Sequence, residues 1–487
     1  MNNKTNDGIK KNFLYQTIYE ILILSLPLLT SPYIARVLGA EQLGIYSFSY
    51  SVTYYFQILC ALGIKYHGSR TISAVKHNKE KLNEKFNELL FAHFLISIIS
   101  LLLYTLYSLF FVKDNTIIAQ IQILNVVSAM FDISWFYFGI EKFKITALSS
   151  SFIKIMTVIC IFIFVKKTSD LYIYTIIMSV GMLLTQLIMW KYLSNYVTIS
   201  KPNFKNSISH LKPLFILFIP VIALSMFHYM DKIMLGFFST KIQTGLYENA
   251  DKIITIPLTV IFSFSTVMLP RMSNLKSSNE VKKSEKYMEM SFKYMEWIAL
   301  GMTFGLFCVA DKFSFIFWGK EFVSCGNLIK ILAFTLPFST YSSIIRTQYL
   351  MPNHKDKAYT TIMVIGALIN LIANLILIYN FDAIGVAVGT LISEIMVCLM
   401  QSIYTKNIIN HTKYLKIIFP YICPGIIMTI IVVILNRITP SSIAMLIFEI
   451  LVGIITYFLI SLIFFYYEKD NLIINYMKKI FKKKAIN

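Results

Sequence analysis

The sequence predicts an all-α integral membrane protein of fourteen transmembrane helices, organised as six plus six plus two. Three observations predict it: an apolar composition, a succession of span-length apolar runs, and a one-sided distribution of cations. Of 487 residues, 56% are hydrophobic and only 14% charged, against about 25% charged in soluble domains, which excludes a soluble globule. The formal charge of +20 suits either a nucleic-acid binder or a membrane protein, and the positions of the cations decide between them.

A hydrocarbon core of about 30 Å takes about 20 apolar residues per helix. Such runs fall at 13–35, 43–63, 89–112, 117–138, 145–165, 171–190, 213–236, 250–269, 297–310, 327–345, 358–379, 383–404, 414–436 and 443–466. The first follows Lys10 and Lys11 like a signal peptide. Glu20 interrupts it and no small-x-small cleavage site follows, so it reads as a retained helix. The ninth is the shortest, because Asp311 and Lys312 cut it off. With fourteen spans and a cytoplasmic N-terminus, 33 of the 45 cations fall on the inner side and eight on the outer. That positive-inside pattern sets both parity and orientation, with both termini cytoplasmic.

No segment between spans is long enough for a soluble domain, the largest polar stretches being 65–88, 194–212 and 271–296. The six cysteines are scattered without CxxC spacing, so they read as small apolar residues and not as disulfides or metal ligands. There is no GxxxxGK[ST], HExxH or GxSxG motif, hence no ATPase of its own and no catalytic residues to assign. A membrane polymerase or glycosyltransferase would present a sizeable outer loop, and the outer loops here are short.

Two segments match at an offset of 201. Gln42-Leu43-Gly44-Ile45-Tyr46 recurs as Gln243-Thr244-Gly245-Leu246-Tyr247, and Arg70 as Arg271. Six helices separate the copies, which makes the repeat parallel, a plan of alternating-access transporters. A weaker echo at offset 212 relates Tyr137-Phe138-Gly139-Ile140-Glu141-Lys142 to Tyr349-Leu350-Met351-Pro352-Asn353-His354. The chain therefore divides into lobes at 1–208 and 209–412, followed by 413–487 with two helices and a basic tail. Each lobe opens on a helix with two prolines, Pro27 and Pro32 or Pro213 and Pro220, which suits either a bending helix or a static kink.

Seven acids and four cations lie in or beside spans: Glu20, Asp132, Asp231, Glu248, Asp251, Glu394, Glu449, Lys154, Lys232, Lys252 and Lys330. Each costs about 2.5 to 3.5 kcal/mol at a helix centre, so they are the site candidates. Asp132 and Lys154 flank the turn near 141–144 at similar depth, where they can pair. His228, Asp231 and Lys232 stand at i, i+3 and i+4 and form one polar stripe, on a pore or at the outer headgroup level. Glu394 and Glu449 have no evident partner and read as protonated carboxyls. Lys154, Lys232 and Lys252 are the candidate substrate cations; Asp132, Asp231, Asp251 and Glu20 are the ion-coupling candidates.

The stretch 27–46, with Ala35-Arg36-Val37-Leu38-Gly39-Ala40 at its centre, resembles the opening of the Wzx-type oligosaccharide flippases. These form the polysaccharide-transporter branch of the superfamily that also holds the drug/cation (MATE) antiporters and the lipid II flippases. The turn Phe138-Gly139-Ile140-Glu141-Lys142, the repeat plan and the basic tail extend the likeness over the chain. The resemblance implies a V-shaped central cavity between two six-helix lobes in a bacterial cytoplasmic membrane, with the last two helices forming a groove for a lipid tail. It implies an undecaprenyl-diphosphate-linked oligosaccharide as substrate, a polysaccharide polymerase with its chain-length machinery as partners, and Arg36 in the substrate path. No nucleic acid and no cofactor is implied; a proton or sodium ion is the candidate coupling ion. A drug or cation antiporter, a lipid II-type flippase and, from another class, a polymerase are the alternatives.

Overall fold

The computed structural model describes the backbone of residues 2–467 and side chains from residue 25 onward, apart from residue 220. Glu20, the side chain of Pro220 and the basic tail beyond 467 lie outside the described residues. The described chain is helical with no strand, as a lipid solvent requires of any open structure, since only a helix satisfies its own backbone polar groups.

Helix α1 runs Asn2–Ala61, and α2 (Ile64–Val75) follows it as a short amphipathic helix. Eleven further helices are long and apolar enough to cross a membrane. They are α3 (Lys79–Phe110), α4 (Thr116–Gly139), α5 (Phe143–Phe164), α6 (Thr168–Leu193), α7 (Phe204–Phe238), α8 (Lys241–Ser277), α9 (Val281–Trp318), α10 (Cys325–Leu350), α11 (Asp356–Thr405), α12 (His411–Ile438) and α13 (Ile443–Tyr467). Large apolar side chains stand exposed along them, such as Leu102, Leu106, Leu109 and Phe110 on α3 and Ile447, Leu451, Ile454 and Phe458 on α13. Rows of this kind at helical spacing face lipid and would be intolerable in water.

Two long helices are broken once each. Helix α1 stays helical through Pro27 and Pro32 and departs from helical dihedrals at Gly39, where φ is 81°. The left-handed conformation is open to glycine at little cost, so the chain breaks its helix there, while Pro27 and Pro32 stay within helical backbone. Helix α11 is broken at Asp382, with φ of 48°.

The chain forms two compact units, residues 1–248 and 249–487. In the first, Phe86, Trp135, Phe136 and Tyr137 are fully buried around α2, α3 and α4. In the second, Phe292, Ile345, Tyr421 and Phe465 fill the corresponding core.

Helix α9 corrects the shortest predicted span, because it continues past Asp311 and Lys312 to Trp318. The reason is pairing: Lys312 is buried and meets Glu449 of α13 at 2.5 Å, while Asp311 meets Lys330 of α10 at 2.5 Å. Glu449, read as partnerless, is thus half of an ion pair, and it also accepts a hydrogen bond from Thr439.

The segments of the weaker echo end in similar backbone turns, a form that also closes α8, where Glu280 N–H bonds Leu275 C=O at 2.9 Å and Asn279 has φ of 55°. After α4, Lys142 N–H bonds Tyr137 C=O at 2.9 Å, and Glu141 has φ of 60°. After α10, Lys355 N–H bonds Leu350 C=O at 2.9 Å, and His354 has φ of 55°. Both are helix ends closed by a left-handed residue. Their offset is 213, which aligns Lys142 with Lys355.

Candidate functional site: an intramembrane charge cluster at the repeat junction

The two copies of the stronger repeat do more than resemble each other; within the first unit they touch. A Cβ built on Gly44 would lie 1.6 Å from the carbonyl oxygen of Lys241, and one on Gly245 would lie 2.0 Å from that of Ala40. Residues 40 and 241, like 44 and 245, are one repeat apart, so the contact is symmetric about a local two-fold axis. Only glycine lets two helix backbones approach so closely. One turn further on, Ser47 Oγ donates to Glu248 Oε2 at 2.9 Å, again a pair one repeat apart.

Glu248 is the centre of the cluster, and its position in the sequence suggests no partner. Lys232 Nζ lies 2.7 Å from Glu248 Oε2, with side chains 9% and 19% exposed. Next to it Asp231, 1% exposed, accepts a hydrogen bond from Tyr247 OH at 2.5 Å. Burial of four polar side chains in an apolar setting is tolerable only because each is bonded. Aromatic rings wall the group. Tyr46, Tyr50 and Tyr54 descend one face of α1 at four-residue spacing, Tyr54 stacks on Tyr229 at 3.8 Å, and Tyr174 meets Tyr46 edge-on at 4.9 Å. The Lys232 ammonium lies 5.5 Å from the Tyr229 ring, a cation–π distance. Cation, carboxylates, hydroxyls and rings together suit a polar, sugar-like or ionic ligand better than an apolar one.

The predicted stripe on α7 spans a change of helical pitch. Residues 226–230 form a π-helical turn, which takes more residues per turn than the α spacing assumed. His228 is turned to an exposed position, while Asp231 and Lys232 are buried.

The remaining candidates sit on other elements. Arg36 is exposed on α1, three residues before the Gly39 break. Lys154 is half-buried on α5. Asp132 lies at a break within α4, where its Oδ1 accepts from Ser134 N–H at 2.8 Å and its carbonyl from Trp135 Nε1 at 3.0 Å. Asp251 and Lys252 are half-buried on α8, and the Asp251 carbonyl accepts from Thr255 Oγ1 at 2.9 Å. Glu394 on α11, read as partnerless, accepts from Ser339 Oγ at 2.8 Å.

A second polar group of the first unit lies off the spans' apolar centres. His67 of α2 meets His210 at 2.9 Å, and His210 meets Glu88 at 3.3 Å. Lys85 at 2.7 Å and Asn206 at 2.9 Å complete the shell of Glu88. Burial, with His210 and Arg70 nearby, pushes His67 down to about 4.

A helical chain with buried, paired charges in span-length apolar helices defines a multi-pass membrane protein. The chain belongs to the polysaccharide biosynthesis protein family, whose model matches residues 9–276; this is the family that the opening stretch 27–46 resembles. It is 24% identical to a protein of Shigella dysenteriae named as an O-antigen transporter, over 81% of this chain and 99% of that one. It is 23% identical to the capsular polysaccharide biosynthesis protein CapF of Staphylococcus aureus, over 82% and 99%. Among solved structures it is similar to the lipid II flippase MurJ in an inward closed conformation, with a TM-score of 0.75, 20% identity, and 93% and 98% of the two chains covered. An inward-facing multidrug MATE transporter follows at a TM-score of 0.60, with 11% identity over 81% and 95%.

Proposed function

We propose that the protein is a flippase that carries lipid-linked oligosaccharide repeat units across the membrane for surface polysaccharide assembly. The observation that carries this is a MurJ-like fold over 93% of the chain in a member of the polysaccharide biosynthesis family. Physical chemistry agrees. A glycosyl diphosphate head is large, anionic and hydrated, so it needs a polar path with a few cations, while its prenyl tail can stay in lipid.

On this reading the helices are fourteen: α11 counts twice across Asp382, and the two segments of α1 on either side of Gly39 join the eleven. The lobes are 1–208 and 209–412, with 413–487 as the tail-binding pair and its basic extension. Both termini are cytoplasmic in a bacterial inner membrane. Arg36, Lys154, Lys232 and Lys252 meet the anionic head, and Asp132, Asp231 or Asp251 exchanges a proton or sodium ion as the lobes alternate. A polymerase and its chain-length machinery take the product on the outer side.

Deleting the protein should leave the lipid-linked repeat unit accumulated and surface polysaccharide absent, read by mass spectrometry of extracted lipids. Normal polysaccharide with no accumulated intermediate overturns the proposal. Export of cationic dyes by the purified protein in vesicles would instead indicate a drug antiporter.

A further inference from the structure

We propose that the first unit carries a binding site for the head of a phosphatidylethanolamine molecule, in a cavity between the α3–α4 turn and the start of α8. The inference goes beyond the flippase reading, since the ligand is a lipid of the bilayer and not the glycan carrier. The cavity has a volume of about 240 Å³, a little below the small-ligand range of about 300 to 1,000 Å³. It therefore takes a lipid head and leaves out an oligosaccharide.

The location is that of a lipid head. Helix α3 carries the exposed apolar row Leu102, Leu106, Leu109 and Phe110 toward the cavity, and the exposed rings of Phe111 and Phe237 line it. The rest of the lining turns polar, with Lys113, Asp114 and Asn115 in the turn and Lys241 at the first residue of α8. An apolar row that ends on aromatic rings and then on cations is the profile of a membrane–water boundary. On the proposed topology it is the outer one.

The charges in the lining suit a zwitterion. Lys241 is positioned from one side: its Nζ donates to the Gly236 carbonyl at 2.7 Å and lies 3.7 Å from the centre of the Phe48 ring, which leaves N–H donors for a phosphate. Lys113, exposed, adds a second cation. Asp114, also exposed, lies within electrostatic reach of Lys241, and its carboxylate accepts from a primary ammonium. The Asn115 side chain caps no helix and offers a further acceptor. A phosphate with a primary ammonium two carbons away meets both signs. Phosphatidylglycerol would bring its net negative charge against Asp114, and the quaternary ammonium of phosphatidylcholine has no N–H for the carboxylate. A head seated here ties the α3–α4 turn to Lys241, whose carbonyl packs on Gly44 at the repeat crossing.

The test uses the full-length protein purified in detergent, with phosphatidylethanolamine, phosphatidylglycerol and phosphatidylcholine of identical acyl chains as probes and native mass spectrometry as the readout. One phosphatidylethanolamine should bind with an affinity about tenfold above that of either other lipid. Lys241→Ala should lower that affinity about tenfold and Lys113→Ala several-fold. Asp114→Asn, which removes the partner of the ammonium and keeps both cations, should turn the preference toward phosphatidylglycerol. Equal binding of the three lipids by the wild type means annular lipid only and overturns the site. A wild-type preference for phosphatidylglycerol or phosphatidylcholine overturns the choice of head, and so does an unchanged preference in Asp114→Asn. Should Lys241→Ala fail to fold, unchanged binding in Lys113→Ala overturns the site equally, since Lys113 is exposed and its truncation leaves the packing intact.

Discussion

Among the described residues, each unit holds a Lys–Glu pair within its apolar helices, and the surroundings set the two pairs apart. Lys312 and Glu449 meet at 2.5 Å with side chains 7% and 0% exposed. Thr439 closes the pair, accepting from Lys312 at 2.8 Å and donating to Glu449. Lys232 and Glu248 meet at 2.7 Å, are more accessible, and share Glu248 with Ser47 of the other repeat copy. The first pair lets α9 carry a charge past the end of its apolar run. The second sits where the two copies cross, among tyrosines that offer hydroxyls and ring faces. An ion pair in a membrane is therefore not a site by virtue of its charge; what surrounds it, and whether it joins elements able to move, decides.

The crossing itself should be the most sensitive point. Gly44→Val or Gly245→Val drives a side chain into a backbone carbonyl that cannot yield as a side chain would. Surface polysaccharide should disappear and the melting temperature should fall. Gly305→Ala is the control, since its Cβ would meet only Met428 at 4.0 Å, and it should be neutral.

Breaking the structural pair comes next. Glu449→Ala leaves a buried ammonium uncompensated, at about 3 to 5 kcal/mol, and membrane levels of the protein should drop. Lys312→Met combined with Glu449→Leu should recover most of the level, with export per molecule unchanged. The junction pair should behave oppositely. Lys232→Met with Glu248→Gln removes both charges, so the protein should accumulate normally while export falls at least tenfold. If export survives, the cluster is structural like its counterpart, and the comparison collapses.

The smallest effect concerns His67. Its folded-state value of about 4 lies below the usual 6.5 or so. Above pH 6.5 both folded and unfolded chains hold it neutral. As the pH falls from about 6.5 toward 4, the unfolded chain takes up the proton first, so stability declines by up to one proton's slope across that window. His67→Gln should flatten that part of a melting-temperature profile.

Much of this was legible in the chain itself. The apolar runs, the cation asymmetry and the 201-residue repeat follow from local composition, because lipid imposes the same length and polarity rule on every span. The repeat even marked its own contact, since Gly44 and Gly245 are the residues that meet. The site was legible only in part. Asp231 and Lys232 were identified as buried charges, but Glu248 had no visible partner, since its partners Ser47 and Lys232 lie 201 and 16 residues away in the chain. The signal available was the repeat offset joining Ser47 to Glu248.

Composition and spacing alone thus determined a multi-pass helical membrane protein, because hydrophobic length and charge placement are local properties. Tertiary structure decided which charges meet: Lys232 with Glu248 and Lys312 with Glu449. It also decided that α1 departs from helical dihedrals at Gly39, and that a π-helical turn precedes Asp231 in α7. Those outcomes depend on helix packing and on one-residue changes of register, to which the periodicity of an apolar run is blind.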